Sequence, residues 1–298
     1  MPQDFAAPLS HDALLSIMGE DAAPFLHGQF TNDVQGLPVD HAQWNGWCSP
    51  KGRLLATFLL VRRAEGFLLL LPAEIAAPIA KRLGMFVLRS KVKIQDVTAS
   101  HALWGVAGPG ALRKVNAGAP MTVAPSDGRL VVALDDSRAV VIAAAGTSLD
   151  GVAQGSSDDW DLELIHAGIP VVTAATQDAF VPQMANFELV GGVSFKKGCY
   201  PGQEIVARTQ YRGILKRRMA LARVAAPQPP RPGQSVYAAE FGDQAAGTVV
   251  NAAPSRDGDG YDLLVVAQLE SLAKGPLHLE SLQGPAIAIV SHPAAQAA

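Results

Sequence analysis

Short apolar runs bounded by turn residues dominate the chain, and they predict strands more often than helices. Leu14–Met18 reads as a strand, and Gly19 separates it from EDAAPFLHGQF, where Asp21 suits the start of a short helix. TNDVQGLP then supplies a turn. Trp44–Cys48, Arg53–Arg63 and Phe67–Leu71 predict a three-stranded meander, with Pro50 and Gly52 placed for a type I turn after the first strand. Ile75 and Ile79, at i and i+4, mark a helix over Pro72–Leu83 that carries Pro78 inside it. Strands follow at Lys91–Val97, His101–Ala107, Arg129–Leu134 and Ala139–Ala144, and Gly108-Pro109-Gly110 opens another helix. That GPG lacks the third glycine of a dinucleotide fingerprint. The order of elements between Trp44 and Ala145 predicts an α+β layer with mainly antiparallel pairing.

Gly151–Ser157 is a small-residue linker, after which Ser156 and Asp159 form a capping-box pattern. Gly168 and Pro170 stop the resulting helix, and His166 falls in its last turn, where a positive charge is favoured. Pro201 suits the first position of a further helix through Arg208. Beyond the proline-rich connector APQPPRPG, strands at Ser235–Ala239, Ala246–Ala252, Tyr261–Gln268, Leu277–Leu282 and Ala286–Val290 predict a small C-terminal barrel. The tail SHPAAQAA reads as frayed, and no repeat of 20 to 50 residues is present.

With 298 residues, 49% of them hydrophobic, the chain can bury a sizeable core without staples. Its two cysteines, Cys48 and Cys199, make no disulfide framework and no metal-ligand spacing, so no metal site is expected. The two thiols form a redox pair only if the fold brings them together. MPQDFAAPLSHD has no basic stretch leading into an apolar run, and the longest apolar runs fall far short of the ~20 residues a membrane span needs. A cytoplasmic protein without membrane contact is expected. The net charge of -3 argues against direct nucleic-acid binding.

Chemistry concentrates in Phe195–Gly213, FKKGCYPGQEIVARTQYRG. Cys199 precedes a helix N-terminus and follows Lys196 and Lys197, and both features favour a thiolate there. Seven Lys or Arg residues stand against one acid, Glu204, between Lys196 and Arg218, a local charge that suits an anionic ligand or an acidic partner. Arg208 and Arg212 are spaced to clamp a carboxylate or to pair with Glu204, while Lys216, Arg217 and Arg218 read as a solvated basic helix face. Gln183 and Asn186 carry amides able to read a heterocycle edge. Lys51 and Arg53 flank the turn after Cys48.

KKGCYPGQE resembles the KGCYxGQE signature of the YgfZ family of folate-binding proteins, relatives of the glycine-cleavage T-proteins and of mitochondrial iron–sulfur maturation factors. GEDAAPFLHGQFTNDV, CSPKGRL, HAGIP and FVPQMANFE extend the likeness over nearly the whole length. The resemblance implies an α+β fold: a multi-domain T-protein-like shell with antiparallel sheets, plus the C-terminal β-barrel. Residues 1–150 and 151–213 would form the folate-site domains and 214–298 the barrel. It also implies a tetrahydrofolate site, or one for a one-carbon derivative, with iron–sulfur client or assembly proteins as partners. Cys199 and Lys197 are then the chemical residues. Gln183, Asn186, Lys51, Arg53, His166, Gln203, Glu204 and Arg208 are the candidate folate contacts. T-proteins and many YgfZ members carry RxEAG where this chain has LIHAG, so Leu164 and His166 replace the arginine and the glutamate associated with the pteridine.

Three functions follow. The first is a tetrahydrofolate-binding accessory protein supporting assembly or repair of iron–sulfur enzymes through Cys199. The second is a folate-dependent aminomethyltransferase, whose GGxxDD stretch is here KGRLLAT, Lys51–Thr57, without the carboxylate pair. The third is a thiol redox or RNA-modification-associated protein.

Overall fold

A computed structural model describes residues 4–213 and 215–292. Its chain divides into two compact units, each assembled from separated stretches. The first comprises the described parts of Met1–Trp47, Ala56–Trp160 and Gly191–Pro201, and the second those of Cys48–Leu55, Asp161–Val190 and Gly202–Ala298.

The elements of the N-terminal half begin with β1 (Phe5–Pro8), β2 (Asp12–Met18), α1 (Ala22–His27), β3 (His41–Cys48), β4 (Leu54–Arg63) and β5 (Gly66–Pro72). They continue with α2 (Ala73–Gly84), β6 (Lys93–Asp96), β7 (His101–Ala107), α3 (Pro109–Lys114), β8 (Val123–Ser126), β9 (Arg129–Ala133) and β10 (Arg138–Ala144). Two five-stranded sheets result, ordered β3-β4-β5-β2-β6 and β1-β7-β10-β9-β8. The register of β4 with β5 is antiparallel, as the meander pattern predicts, and so are those of β2 with β5 and of β10 with β7. Eight consecutive buried residues in β4 reflect a strand covered on both faces, whereas β5 alternates buried and half-buried positions. Asp21 stands at the N-cap of α1, but its carboxylate accepts from the Lys91 N–H rather than capping the helix.

Helix α4 (Ser157–His166) opens on the expected reciprocal cap, Ser156 and Asp159 exchanging side-chain and backbone hydrogen bonds. Helix α5 covers Gln203–Arg212. Pro201 is therefore not its first residue: Gly202 takes a left-handed φ of 79°, which no helix interior accepts, so the helix starts two residues later, at Gln203. The remaining elements are β11 (Arg217–Val224), β12 (Ser235–Tyr237), β13 (Ala245–Pro254), β14 (Tyr261–Gln268), α6 (Leu269–Lys274), β15 (Leu277–Leu279) and β16 (Ala286–Ser291). The six strands close into a barrel, β11-β14-β13-β12-β15-β16. Its interior mixes small and branched residues, among them Ala220, Ala222, Val249, Leu263 and Val265, as a narrow barrel requires.

Arg217 and Arg218 thus belong to a strand and not to a basic helix face. Alternation from Ala220 onward, with Ala222 and Val224 buried, overrides the helical reading of the charges. The short strands β1 and β8 and helix α6 carry too little periodicity to stand out in the sequence. Of the tail, Ser291 ends β16, and residues 293–298 lie outside the described residues.

Candidate functional site

The first unit builds a thiol site from two stretches some 160 residues apart in sequence. Thr31 is fully buried. Its hydroxyl donates to the Gly192 carbonyl at 2.6 Å, and its own carbonyl accepts from the Ser194 N–H at 2.9 Å. Asn32 Nδ2 donates to the Gly191 and Trp44 carbonyls. The segment leading into the cysteine loop is therefore bound to the turn that follows α1. Lys197, 9% exposed, completes the attachment: its Nζ donates to the carbonyls of His27 and Phe30 and lies 4.8 Å from the Tyr200 ring centroid. Carbonyls at a helix end lack intrahelical donors, and a lysine there satisfies them. Burial draws the Lys197 ammonium from its ordinary 10.5 to about 8, against the opposing pull of Asp33 and Cys199. Two residues further, Cys199 is exposed, a free thiol beside that cation.

His27 and Asp33 stand at the same place. His27 Nδ1 lies 3.1 Å from Asp33 Oδ1, and a Cβ placed on Gly198 would come 3.5 Å from His27 Nε2. Burial, aided by Lys197, holds the His27 imidazole below its ordinary acidity range despite Asp33. Neither residue is singled out by the sequence reading, although HGQFTND places the histidine six residues before the aspartate.

The second unit holds the other candidates. Lys51 is exposed in the Ser49–Gly52 turn, closed by the Gly52 N–H donating to the Ser49 carbonyl. Arg53 Nη1 donates to the Ala179 carbonyl at 2.5 Å, and Ser49 Oγ to Asp178 at 2.7 Å. Cys48, 2% exposed, is a core cysteine whose thiol burial, with Asp178, pushes up to about 12. This makes it a poor nucleophile and removes the chemistry of a redox partner. Gly52 packs directly on Gly202 at the start of α5, bringing CSPKGR and CYPGQE into backbone contact. Along α5, Gln203 is half-buried and Glu204 and Arg208 are exposed; Arg208, Tyr211 and Arg212 rim a shallow depression.

His166 and Asn186 are brought together, on the wall of a groove of about 370 Å³ that also includes Ile165, Met219, Leu221 and Leu264. Both are partly committed. His166 Nε2 lies 2.7 Å from Asp262 Oδ2, and Arg223 donates to the same carboxylate. Burial raises the Asp262 carboxyl, yet Arg223 and His166 outweigh it and hold it below the usual carboxylate range. His166 Nδ1 makes no hydrogen bond with another described residue. Asn186 donates from Nδ2 to the Met219 carbonyl and accepts at Oδ1 from Arg218. Arg218 also reaches the Gln183 carbonyl and Glu188, whose carboxyl burial pushes up more than Arg218 pulls it down. Gln183 Nε2 donates to the Val206 carbonyl, leaving its buried Oε1 unpaired among the described residues. The walls mix apolar side chains with polar ones, and a volume of this size falls within the range of small-ligand sites.

No group of three or more His, Cys, Asp or Glu residues able to hold a metal occurs among the described residues. Nor is any described helix long and apolar enough to cross a membrane.

No protein-family profile matches the chain. It is 32% identical over 271 residues to the tRNA-modifying protein YgfZ of Photobacterium profundum, covering 85% of this chain and 80% of that one. The proteins of the same name from Shigella sonnei and Escherichia coli O127:H6 are each 31% identical over 267 residues, covering 83% of this chain and 80% of theirs. Among solved structures, glycine cleavage system aminomethyltransferase T from Bartonella henselae superposes with a TM-score of 0.77 at 16% identity, over 98% of this chain and 86% of its own. The fold is thus T-protein-like.

Proposed function

This chain belongs to the YgfZ family, and from that premise we propose that it is a tetrahydrofolate-binding accessory protein that keeps iron–sulfur enzymes functional through the thiol of Cys199. Those that modify tRNA are the client class the relatives' name points to. The observation that carries the reading is Cys199 itself: an exposed thiol on a loop bound to the rest of its unit by a nearly buried lysine. An exposed cysteine with a cation beside it is equipped for exchange or capture chemistry, which a core cysteine is not.

Tetrahydrofolate, when bound, supplies a carrier for one-carbon units. In this reading the groove lined by His166, Asn186, Met219 and Leu221 receives the heterocycle, with His166 Nδ1 as the hydrogen-bonding atom where relatives have glutamate. Lys51, Gln203 and Arg208 remain candidates for the anionic tail, all but Gln203 being exposed, and exposed Glu204 remains a candidate for a hydrogen-bond donor of the ligand. Gln183 and Arg53 act from behind, through the internal hydrogen bonds that shape their segments, and Lys197 holds the cysteine loop of the first unit. The aminomethyltransferase reading lacks the carboxylate pair at Lys51–Thr57 and is not favoured.

The test pairs a binding assay with a rescue assay. Titration with reduced folate should saturate, and a flat response removes the folate part of the reading. In cells lacking a YgfZ protein, Cys199→Ser should fail to restore iron–sulfur enzyme activity while still binding folate. Full rescue by that variant would sink the role given to the thiol.

A further inference from the structure

The turn that follows α2 in the first unit carries apolar side chains where a surface turn ordinarily carries polar ones. Met85, Phe86 and Leu88 are exposed within four residues, and Leu88 is 88% open to solvent. Leu88 also holds a left-handed φ of 45°, a strained conformation for a side chain that gains almost nothing from burial. The turn is nonetheless held in place. The Phe86 N–H donates to the Leu83 carbonyl at 3.0 Å, the Ser90 N–H to the Val87 carbonyl at 2.8 Å, and the Lys91 N–H to Asp21 at 2.7 Å. From Lys81 to Lys93 the chain has five Lys or Arg residues and no acid, and all five are exposed. Only Lys91 has an ion-pair partner among the described residues, Glu20. An exposed apolar cluster with a charged rim marks an interaction surface.

Packing within the same unit joins this cluster to the cysteine loop. The Phe86 ring meets the Trp47 ring edge-on, 6.2 Å between centroids, and the Arg82 guanidinium lies 5.6 Å above the same indole. Trp47 pairs with Phe30 across a β-bridge, and the Phe30 carbonyl accepts from Lys197, two residues before Cys199. We propose that Met85, Phe86 and Leu88, with their basic rim, dock an acidic protein partner: the client or assembly protein on which the thiol acts. The inference rests on the reading of Cys199 as a working thiol, and it names the surface that brings the partner to it. Charge selects the occupant, because a basic rim is complemented by a carboxylate-rich face. A second copy of this chain, meeting the first across a two-fold axis, would set cation against cation. A lipid surface would match the charge, but continuity with the cysteine loop favours a protein, since a partner with its own reactive centre gains from being held near a thiol. Phe, Met and Arg are also side chains that protein interfaces favour.

The experiment titrates rescue against expression level in cells lacking a YgfZ protein, with iron–sulfur enzyme activity as the readout. Leu88→Gly removes the side chain and suits the left-handed φ, so the variant should keep the wild-type Tm and the wild-type rate of Cys199 alkylation by iodoacetamide. It should nevertheless need roughly tenfold more protein for half-maximal rescue, the effect on affinity of truncating an interface anchor. Arg89→Glu combined with Lys93→Glu should shift the titration the same way, and Arg89→Lys combined with Lys93→Arg should not. Curves for Leu88→Gly and the charge reversal that overlay wild type overturn the proposal. So does wild-type binding to phosphatidylcholine–phosphatidylglycerol vesicles, or self-association in sedimentation equilibrium, that Leu88→Gly abolishes, because the patch then belongs to a lipid surface or to a second copy. If Leu88→Gly lowers the Tm, the charge reversal decides by the same criterion. Cys199→Ser should fail at every expression level. Its full rescue sinks the thiol reading, whereas unshifted patch variants beside a failing Cys199→Ser sink this inference alone.

Discussion

Lys197 shows how one residue carries both structure and local electrostatics. Replacing it with methionine should cost about 1–3 kcal/mol, because the His27 and Phe30 carbonyls lose their donor. The pH dependence is specific. Between about 8 and its ordinary 10.5 the unfolded chain holds a proton at Lys197 that the native chain has shed, so native stability should rise with pH across that window. Urea unfolding at several pH values would show the rise in wild type and its loss in Lys197→Met. Gly202 is a second sensitive position: its φ is 79°, and an added Cβ would lie 2.4 Å from the Ser49 carbonyl oxygen and 2.5 Å from Gly52 Cα. Gly202→Ala should lower stability by about 2 kcal/mol or more, measurable as a drop in Tm. The cysteine signature was legible because its reactive and basic residues are contiguous in sequence. His27 and Asp33 were not, because only the return of residues 191–200 to the turn after α1 brings them against that loop.

At the scale of elements, β11 is where sequence reading and structure part most clearly. Three successive basic residues suggested an exposed helix face, but Arg218 sits at the start of a barrel strand with its guanidinium on Asn186 and Glu188. Arg218→Met would leave the Glu188 carboxylate buried without its cation, which should cost about 3–5 kcal/mol in denaturant titration. Helix α4 is tied to β14 by His166 and Asp262, with Arg223 of β11 on the same carboxylate. The Asp262 carboxyl is depressed in the native state, so its contribution is full above the unfolded value of about 3.9 and is lost as pH falls through the lower native one. Asp262→Asn should therefore lose about 1.5–3 kcal/mol at neutral pH and show a flatter acid limb below about pH 4. Position 166 thus acquired a structural partner that the helix-dipole argument alone did not supply.

For the whole molecule, the groove in the second unit offers the most direct check on ligand binding. Reduced folate at about a hundred times its Kd should stabilise the native state by about 2.7 kcal/mol. Leu189→Arg, on the exposed wall of the groove, should abolish that thermal shift while leaving the ligand-free Tm in place. The sequence by itself determined the α+β composition, the meander, the capped helix that runs into LIHAG and nearly all the barrel strands, because period and turn chemistry act within a few residues. It also set Cys199 among contiguous basic residues. Only the tertiary structure decided that Cys199 is exposed and Cys48 is core, that Lys197 spends its protons on α1, and that Gly52 meets Gly202. Those outcomes depend on contacts between residues some 130 or more positions apart, and the path of the backbone, not local pattern, brings such residues together.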